Sequence, residues 1–150
     1  MSENHCVDMI LVIRRMTRLL DKYNKYLNTK YGVTLPQLLC LIEIQSEDSI
    51  NLSTLTKRVN LNSSAITGII DRMEMKGFVA RVRKREDRRN IYLEITDQGR
   101  KFAENALEIL ENDCFIDRNA IDKDSVSSFL TSAKQIMASL ETEVESIELG

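Results

Sequence analysis

The sequence predicts a mainly α-helical protein with one small β-hairpin near its middle. Three observations carry that prediction. Helix-breaking residues are scarce, with one Pro and five Gly in 150 residues, and aromatics make up only 5%, which argues against a sandwich or barrel. Apolar residues recur every three or four positions through most of the chain, the period of a helix with one buried face. Between residues 78 and 95 the period changes to two, the mark of paired strands.

The elements follow in order. From about Val7 to Asn28, Ile13, Met16, Leu20, Tyr23 and Leu27 keep helical spacing, while Met9, Val12, Leu19 and Tyr26 add a second apolar side. A helix apolar on more than one side needs more than one packing surface. Gly32 is placed to end it, Thr34 to cap a second helix, and Pro36 fits that helix's first turn. The second helix runs to about Gln45, followed by a polar loop, Ser46 to Asn51. Ser53 then caps a short helix carrying Leu55 and Val59. Asn60 tolerates the left-handed turn, and Asn62 caps the next helix. That helix gathers Ile66, Ile69, Ile70 and Met73 on one face and ends at Gly77. The run from Phe78 to Val82 reads as one strand, and Ile91, Leu93 and Ile95 mark its partner. Arg83 to Arg89 forms a charged tip between them. Thr96 or Asp97 caps a helix with Phe102, Ala106, Ile109 and Leu110 inward. The last helix, from near Asp124, carries an apolar stripe from Val126 to Ile147. A stripe that long is not expected of a helix without a partner.

Charge is unevenly spread. The whole chain carries −2, but the first fifty residues hold six basic and six acidic groups, the middle fifty eleven and six, and the last fifty four and eleven. A basic middle beside an acidic end is the footprint of local polyanion binding. Arg81 to Asn90 alone holds six basic residues against two acidic.

Two helices joined by a tight turn and followed by a two-stranded hairpin make a winged helix-turn-helix. Such a unit reads DNA with a helix whose leading residues are small and hydrogen-bonding, as Ser63, Ser64 and Thr67 are here. A cationic hairpin tip can track the backbone or enter the minor groove. The candidate DNA-contacting set is Asn62, Ser63, Ser64, Thr67, Gly68, Arg72, Arg81, Arg83, Lys84, Arg85, Asp87, Arg88 and Arg89. Within it, Asp71 and Arg72 suit an internal brace and a phosphate contact. Arg89 shares strand parity with Ile91, so it either folds back onto Asp71 or Asp87, leaving Arg88 as the outward arm, or reaches the groove itself.

The run Asp71-Arg72-Met73-Glu74-Met75-Lys76-Gly77-Phe78-Val79, then Arg81, Asp87-Arg88-Arg89 and Leu93-Glu94-Ile95-Thr96-Asp97-Gln98-Gly99, resembles the MarR family. The flanking helices match the family layout too, so the resemblance covers nearly the whole chain. Thr56 and Asn60 stand where the family commonly has Ala and Gly. The resemblance implies a homodimer built from residues 1–34 and 100–150, with residues 35–99 as the DNA-binding lobe, in a single interlocked domain. It implies a transcriptional regulator, expected as a repressor on a pseudo-palindromic operator, released by a small-molecule effector or an oxidant. It places Asp87 and Arg89 at the groove.

Other classes find less support. A winged-helix module that binds protein instead of DNA predicts an apolar wing, and this wing is cationic. An enzyme needs a catalytic constellation, and none is present. No C-x-x-C, H-E-x-x-H or Gly-rich phosphate loop occurs, so no cofactor or metal is expected. No apolar run reaches 18 residues and no leader pattern opens the chain, so neither a membrane partner nor secretion is expected. Cys6, Cys40 and Cys114 are odd in number and far apart, which suits a reducing cytoplasmic compartment. Cys40 lies in an apolar run and reads as a core thiol. Cys6 lies near the start of the first helix, where the resemblance implies that thiol-sensing relatives carry their cysteine. The acidic positions Glu141, Glu143, Glu145 and Glu148 read as a solvated helix face.

Overall fold

The computed structural model describes residues 3–113 and 120–148, with side chains described for 5–113 and 120–142. The elements are α1 (Glu3–Tyr31), α2 (Leu35–Gln45), β1 (Ile50–Asn51), α3 (Leu52–Arg58), α4 (Ser63–Met75), β2 (Val79–Lys84), β3 (Asp87–Ile95), α5 (Asp97–Asn112) and α6 (Lys123–Glu148). The chain divides into two compact units, Met1–Asp113 and Cys114–Gly150. The first holds everything from α1 to α5, and the second holds α6.

Local chemistry sets most of the boundaries. Gly32 and Gly77 sit at φ +69 and +72, and Asn60 at φ 52, so these three chain reversals fall on residues that accept the left-handed region. Thr34 forms a capping box: its hydroxyl accepts from the Gln37 amide, and the Gln37 side chain accepts from the Thr34 amide. The Asn24 side chain on α1 also accepts from the amide of Leu35, which pins the two helices together at this turn. Asn62 caps α4 by accepting from the Ala65 amide at 2.7 Å.

The core of the first unit gathers Leu27 from α1, Leu38, Leu41 and Ile44 from α2, Leu55 from α3 and Ile66, Ile70 and Met73 from α4. Leu93 from β3 and Ala106 from α5 complete it, all with no more than 1% of their surface exposed. Each large side chain contributes about 1.5–3 kcal/mol by leaving water. The stacked rings of Phe78 and Phe102 extend this packing at the start of α5. Lys30 at the end of α1 donates to Asp113 at 2.8 Å, and the Tyr31 hydroxyl donates to the same carboxylate, so α1 and the end of α5 are tied.

The Thr96 to Gly99 spacing has a direct physical reason. Thr96 caps α5 by accepting from the Gly99 amide at 3.0 Å, while its own hydroxyl donates to the carbonyl of Gly77 at 2.5 Å. That draws α5 against the turn after α4. A Cβ on Gly99 would overlap the Phe78 carbonyl oxygen, so the close approach requires glycine.

Two expectations need correction. The sheet has three strands in the order β1-β3-β2, not two, because Ile50 and Asn51 pair with Leu93 and Tyr92 inside what reads as a polar loop. The cap of α3 is Asn51, accepting from the Thr54 amide at 2.7 Å, not Ser53. One residue thus ends the strand and starts the helix, leaving no loop for Ser53 to close.

Candidate nucleic-acid interface

The turn between α3 and α4 and the wing of β2 and β3 bring most of the predicted set to one region. Asn62, Ser63, Ser64 and Thr67 are exposed at the start of α4, opposite the buried Ile66, Ile69 and Ile70, and Gly68 is half-buried. Their hydroxyls are oriented from within. Ser64 donates to the Asn62 carbonyl oxygen at 2.9 Å, and Thr67 donates to the Ser63 backbone carbonyl at 3.0 Å. With those protons committed, both hydroxyls present acceptor lone pairs outward.

The wing departs from regular pairing. Val82 lies opposite Tyr92 and Lys84 opposite Asp87, so Arg83 alone on β2 faces Arg88, Arg89, Asn90 and Ile91 on β3. This bulge takes the arginine-bearing stretch of β3 out of the regular ladder. Asp87 shapes it, accepting from the backbone amides of Arg89 and Asn90 at 3.2 and 3.3 Å, the Asn90 side chain at 2.6 Å and the Tyr92 hydroxyl at 3.1 Å. The Asn90 amide foremost, with the Tyr92 hydroxyl and the two backbone amides, holds the Asp87 carboxyl below the usual carboxylate range. The Lys84 ammonium lies 4.4 Å from the Tyr92 ring centroid, which steadies the other side of the bulge.

The cations divide into two groups. Arg81 bridges β2 to α4, donating to Asp71 at 2.6 Å and to Glu74 at 2.5 Å, so its charge is matched inside the fold. Asp71 is therefore the partner of Arg81 and not of Arg89, because the bulge breaks the alternation that would have aimed Arg89 inward. Arg72, Arg83, Arg85, Arg88 and Arg89 are exposed and make no ion pair among the described residues. The tip is also shorter than the seven residues expected. The strands run to Lys84 and from Asp87, leaving Arg85 and Glu86 as the turn.

A cleft of about 560 Å³ lies between α3, the start of α4 and β3, lined by Ser53, Thr56, Lys57, Ser63, Thr67, Arg89 and Asn90 with Leu52, Ile66 and Ile91. It joins the small-polar helix face to the wing. Lys57 and Asn90 belong to this surface and escaped the sequence reading. Lys57 sits in the last turn of α3, a signal that was available, whereas Asn90 acquires its place only from the bulge. A second cleft, about 420 Å³, lies where the end of α1, the start of α2 and the end of α4 meet, lined by Asn28, Thr34, Gln37, Arg72, Met75 and Lys76.

Of the cysteines, Cys40 is fully buried, and burial pushes its thiol up to about 12, with the Glu43 charge adding to the shift. Cys6 is exposed on α1, and Cys114 lies outside the described residues. Among the described residues no helix is long and apolar enough to cross a membrane.

The role of Asp87 is testable by itself. Replacing it with Ala should free the bulge and weaken DNA binding about tenfold, since two long side chains must then be ordered on binding. Melting should change little, because the wing lies outside the core. Because the carboxyl titrates below its ordinary range, its contribution is complete at neutral pH and is lost as pH falls through that lowered value. The protection of the Arg89 and Asn90 backbone amides, taken relative to the intrinsic exchange rate at each pH, should therefore fall on acidification in the parent protein and be low throughout in Asp87→Ala.

Comparison with known proteins agrees with this geometry. The MarR family pattern matches residues 33–91, the span from the end of α1 into β3. The transcriptional regulator SarZ of Staphylococcus haemolyticus is 29% identical over 119 residues, covering 79% of each chain. The transcriptional regulator BldR of Sulfolobus solfataricus superposes with a TM-score of 0.75 at 26% identity, over 92% of this chain and 99% of its own. Reduced AbfR bound to DNA superposes at 0.77 with 20% identity, over 91% and 94%, a likeness of fold. Pattern, sequence relatives and superposition agree with the winged helix-turn-helix described above: over residues 33–91 the chain is similar to the MarR family, and its relatives SarZ and BldR are transcriptional regulators.

Proposed function

We propose that the protein is a cytoplasmic repressor that binds a pseudo-palindromic operator as a homodimer and is released by a small-molecule or oxidative signal. The observation that carries this reading is the surface around the first cleft, where outward hydroxyl acceptors on α4 stand beside the unpaired arginines of a braced wing. AbfR, a structural relative of the same fold, supports it as a protein bound to DNA.

The dimer reading rests on uncovered apolar surface. On α1, Val7, Ile10, Leu11, Val12, Ile13, Leu19 and Leu20 are exposed, and on α6 so are Phe129, Leu130, Met137 and Leu140. Helices this apolar are covered in a working protein. Residues 1–34 and 100–150 then form the dimer, and residues 35–99 the DNA-binding lobe. Two-fold symmetry places half-sites about one helical turn, ~10 bp, apart. For release, the second cleft joins α1 and α2 to α4, so a ligand there would bear on the recognition helix. An oxidative route would fall on a thiol other than Cys40, whose burial disfavours the thiolate; the exposed Cys6 is one candidate, and Cys114 lies outside the described residues.

Base reading and backbone holding should separate on mutation. Thr67→Ala should cost about 1–3 kcal/mol on the operator and little on unrelated duplex. Arg88→Ala or Arg89→Ala should weaken both duplexes and make the salt slope shallower by about one per lost contact. Titrations on operator and scrambled duplex check this. Equal loss on both duplexes for Thr67→Ala, with operator-only loss for the arginine variants, would invert the roles.

A further inference from the structure

The recognition helix α4 contains one basic residue, Arg72, three-quarters of the way along it. That position suits a phosphate contact at the groove edge. The side chain, however, does not stay there. A Cβ built on Gly68 would lie 3.8 Å from Arg72 Nη1 and 4.0 Å from Nη2, so the guanidinium lies beside Gly68, one turn toward the helix start. Helical side chains lean N-terminally, and a rise of 1.5 Å per residue carries this charge about 6 Å along the axis. It ends level with Gly68, on the row of Ser64.

Two features keep the guanidinium available. Arg72 makes no ion pair among the described residues, and the acids next to it in sequence, Asp71 and Glu74, point to other sides of the helix and bind Arg81 on β2 at 2.6 and 2.5 Å. Position 68, one turn back, carries no side chain to stand in its way. A mid-helix glycine ordinarily costs stability, so its presence under this side chain has a consequence elsewhere.

We propose that Arg72, exposed, unpaired among the described residues and lying beside Gly68, reads a guanine in the major groove, with Gly68 as its positioning residue. The inference rests on the DNA-binding reading and deepens it. A planar fork with two parallel N–H donors matches guanine O6 and N7. The hydroxyls of Ser64 and Thr67, which present acceptors, suit the amino groups of adenine or cytosine at adjacent positions.

The test is selection from a randomised duplex library by the full-length protein, followed by sequencing of the bound fraction. The parent protein should enrich a guanine, and Arg72→Ala should lose that preference roughly 5- to 150-fold while keeping the rest of the motif. Arg72→Lys should keep the salt slope but not the guanine. Gly68→Leu should lose the same guanine, because its branch occupies the guanidinium's place. Gly68→Ala should retain it, since a methyl there makes only ordinary contact. If Arg72→Ala weakens every duplex equally and leaves the motif unchanged, Arg72 is a phosphate contact and the inference is overturned. If the parent protein retains no duplex at all, the DNA-binding reading fails and this inference falls with it.

Discussion

Glutamate at both Leu11 and Leu19 is expected to convert the protein to a folded monomer and to lower operator affinity by about 10²–10⁴-fold. Both side chains lie on the open part of α1, 58% and 46% exposed, so the substitutions remove nothing from the core of the first unit. That core takes hold of α1 only further on, at Tyr23 and Leu27. Helical content and the melting of the lobe should therefore survive. In a two-fold dimer each protomer would bury two added carboxylates, and an unpaired buried charge costs several kcal/mol. A dimer gains from binding two half-sites at once by the local concentration of its second lobe, and that gain is what the monomer forfeits. Sedimentation and operator titration of the same sample check both halves. A variant that stays dimeric with unchanged affinity would place the interface elsewhere.

Gly99→Ala is expected to destabilise the protein by about 3 kcal/mol or more, the scale of forcing an atom into a filled site. The added methyl would meet the Phe78 backbone carbonyl, which cannot turn aside as a flexible side-chain tip could. To make room, α5 must retreat from the turn after α4, loosening Thr96 from Gly77 and the Phe78–Phe102 stack. At this chain length such a loss lowers the melting point by about 6–12 °C. Gly68→Ala makes the opposite control. There a methyl has space, so the usual helix penalty of glycine, about 1 kcal/mol, is relieved and melting should rise. Thermal melts of both variants decide it, and equal shifts would contradict the account of Gly99.

The contrast between these glycines shows where sequence reasoning reached and where it stopped. Periodicity and caps revealed the helices, because a stripe such as Ile66, Ile69, Ile70 and Met73 and a cap such as Asn62 act within a few residues of themselves. Gly32, Asn60 and Gly77 were legible for the same reason, since the left-handed backbone is a local demand. The third strand was not, because two residues are too short to show a period and Ile50 and Asn51 are recruited by β3 from more than forty positions away. The wing was legible as a basic hairpin but not as a bulge. Alternation assumes regular pairing, and the hydrogen bonds Asp87 gathers from Arg89, Asn90 and Tyr92 override it. Arg81 read as one more cation for DNA, and only the approach of β2 to α4 gives it Asp71 and Glu74. Charge counts locate a site, whereas tertiary pairing decides which charges remain for a partner.

The central claim is that this fold holds duplex DNA through cations it leaves unpaired. The most direct test is the affinity of the full-length protein for duplex at a series of salt concentrations. Arg83, Arg85, Arg88 and Arg89 on each wing, with Lys57 beside the first cleft, should displace counterions from the phosphates. With six to ten contacts per dimer, affinity should fall by about 10³–10⁵ between 50 and 200 mM salt, linearly on a log–log plot. Affinity that stays flat across that range would contradict the account.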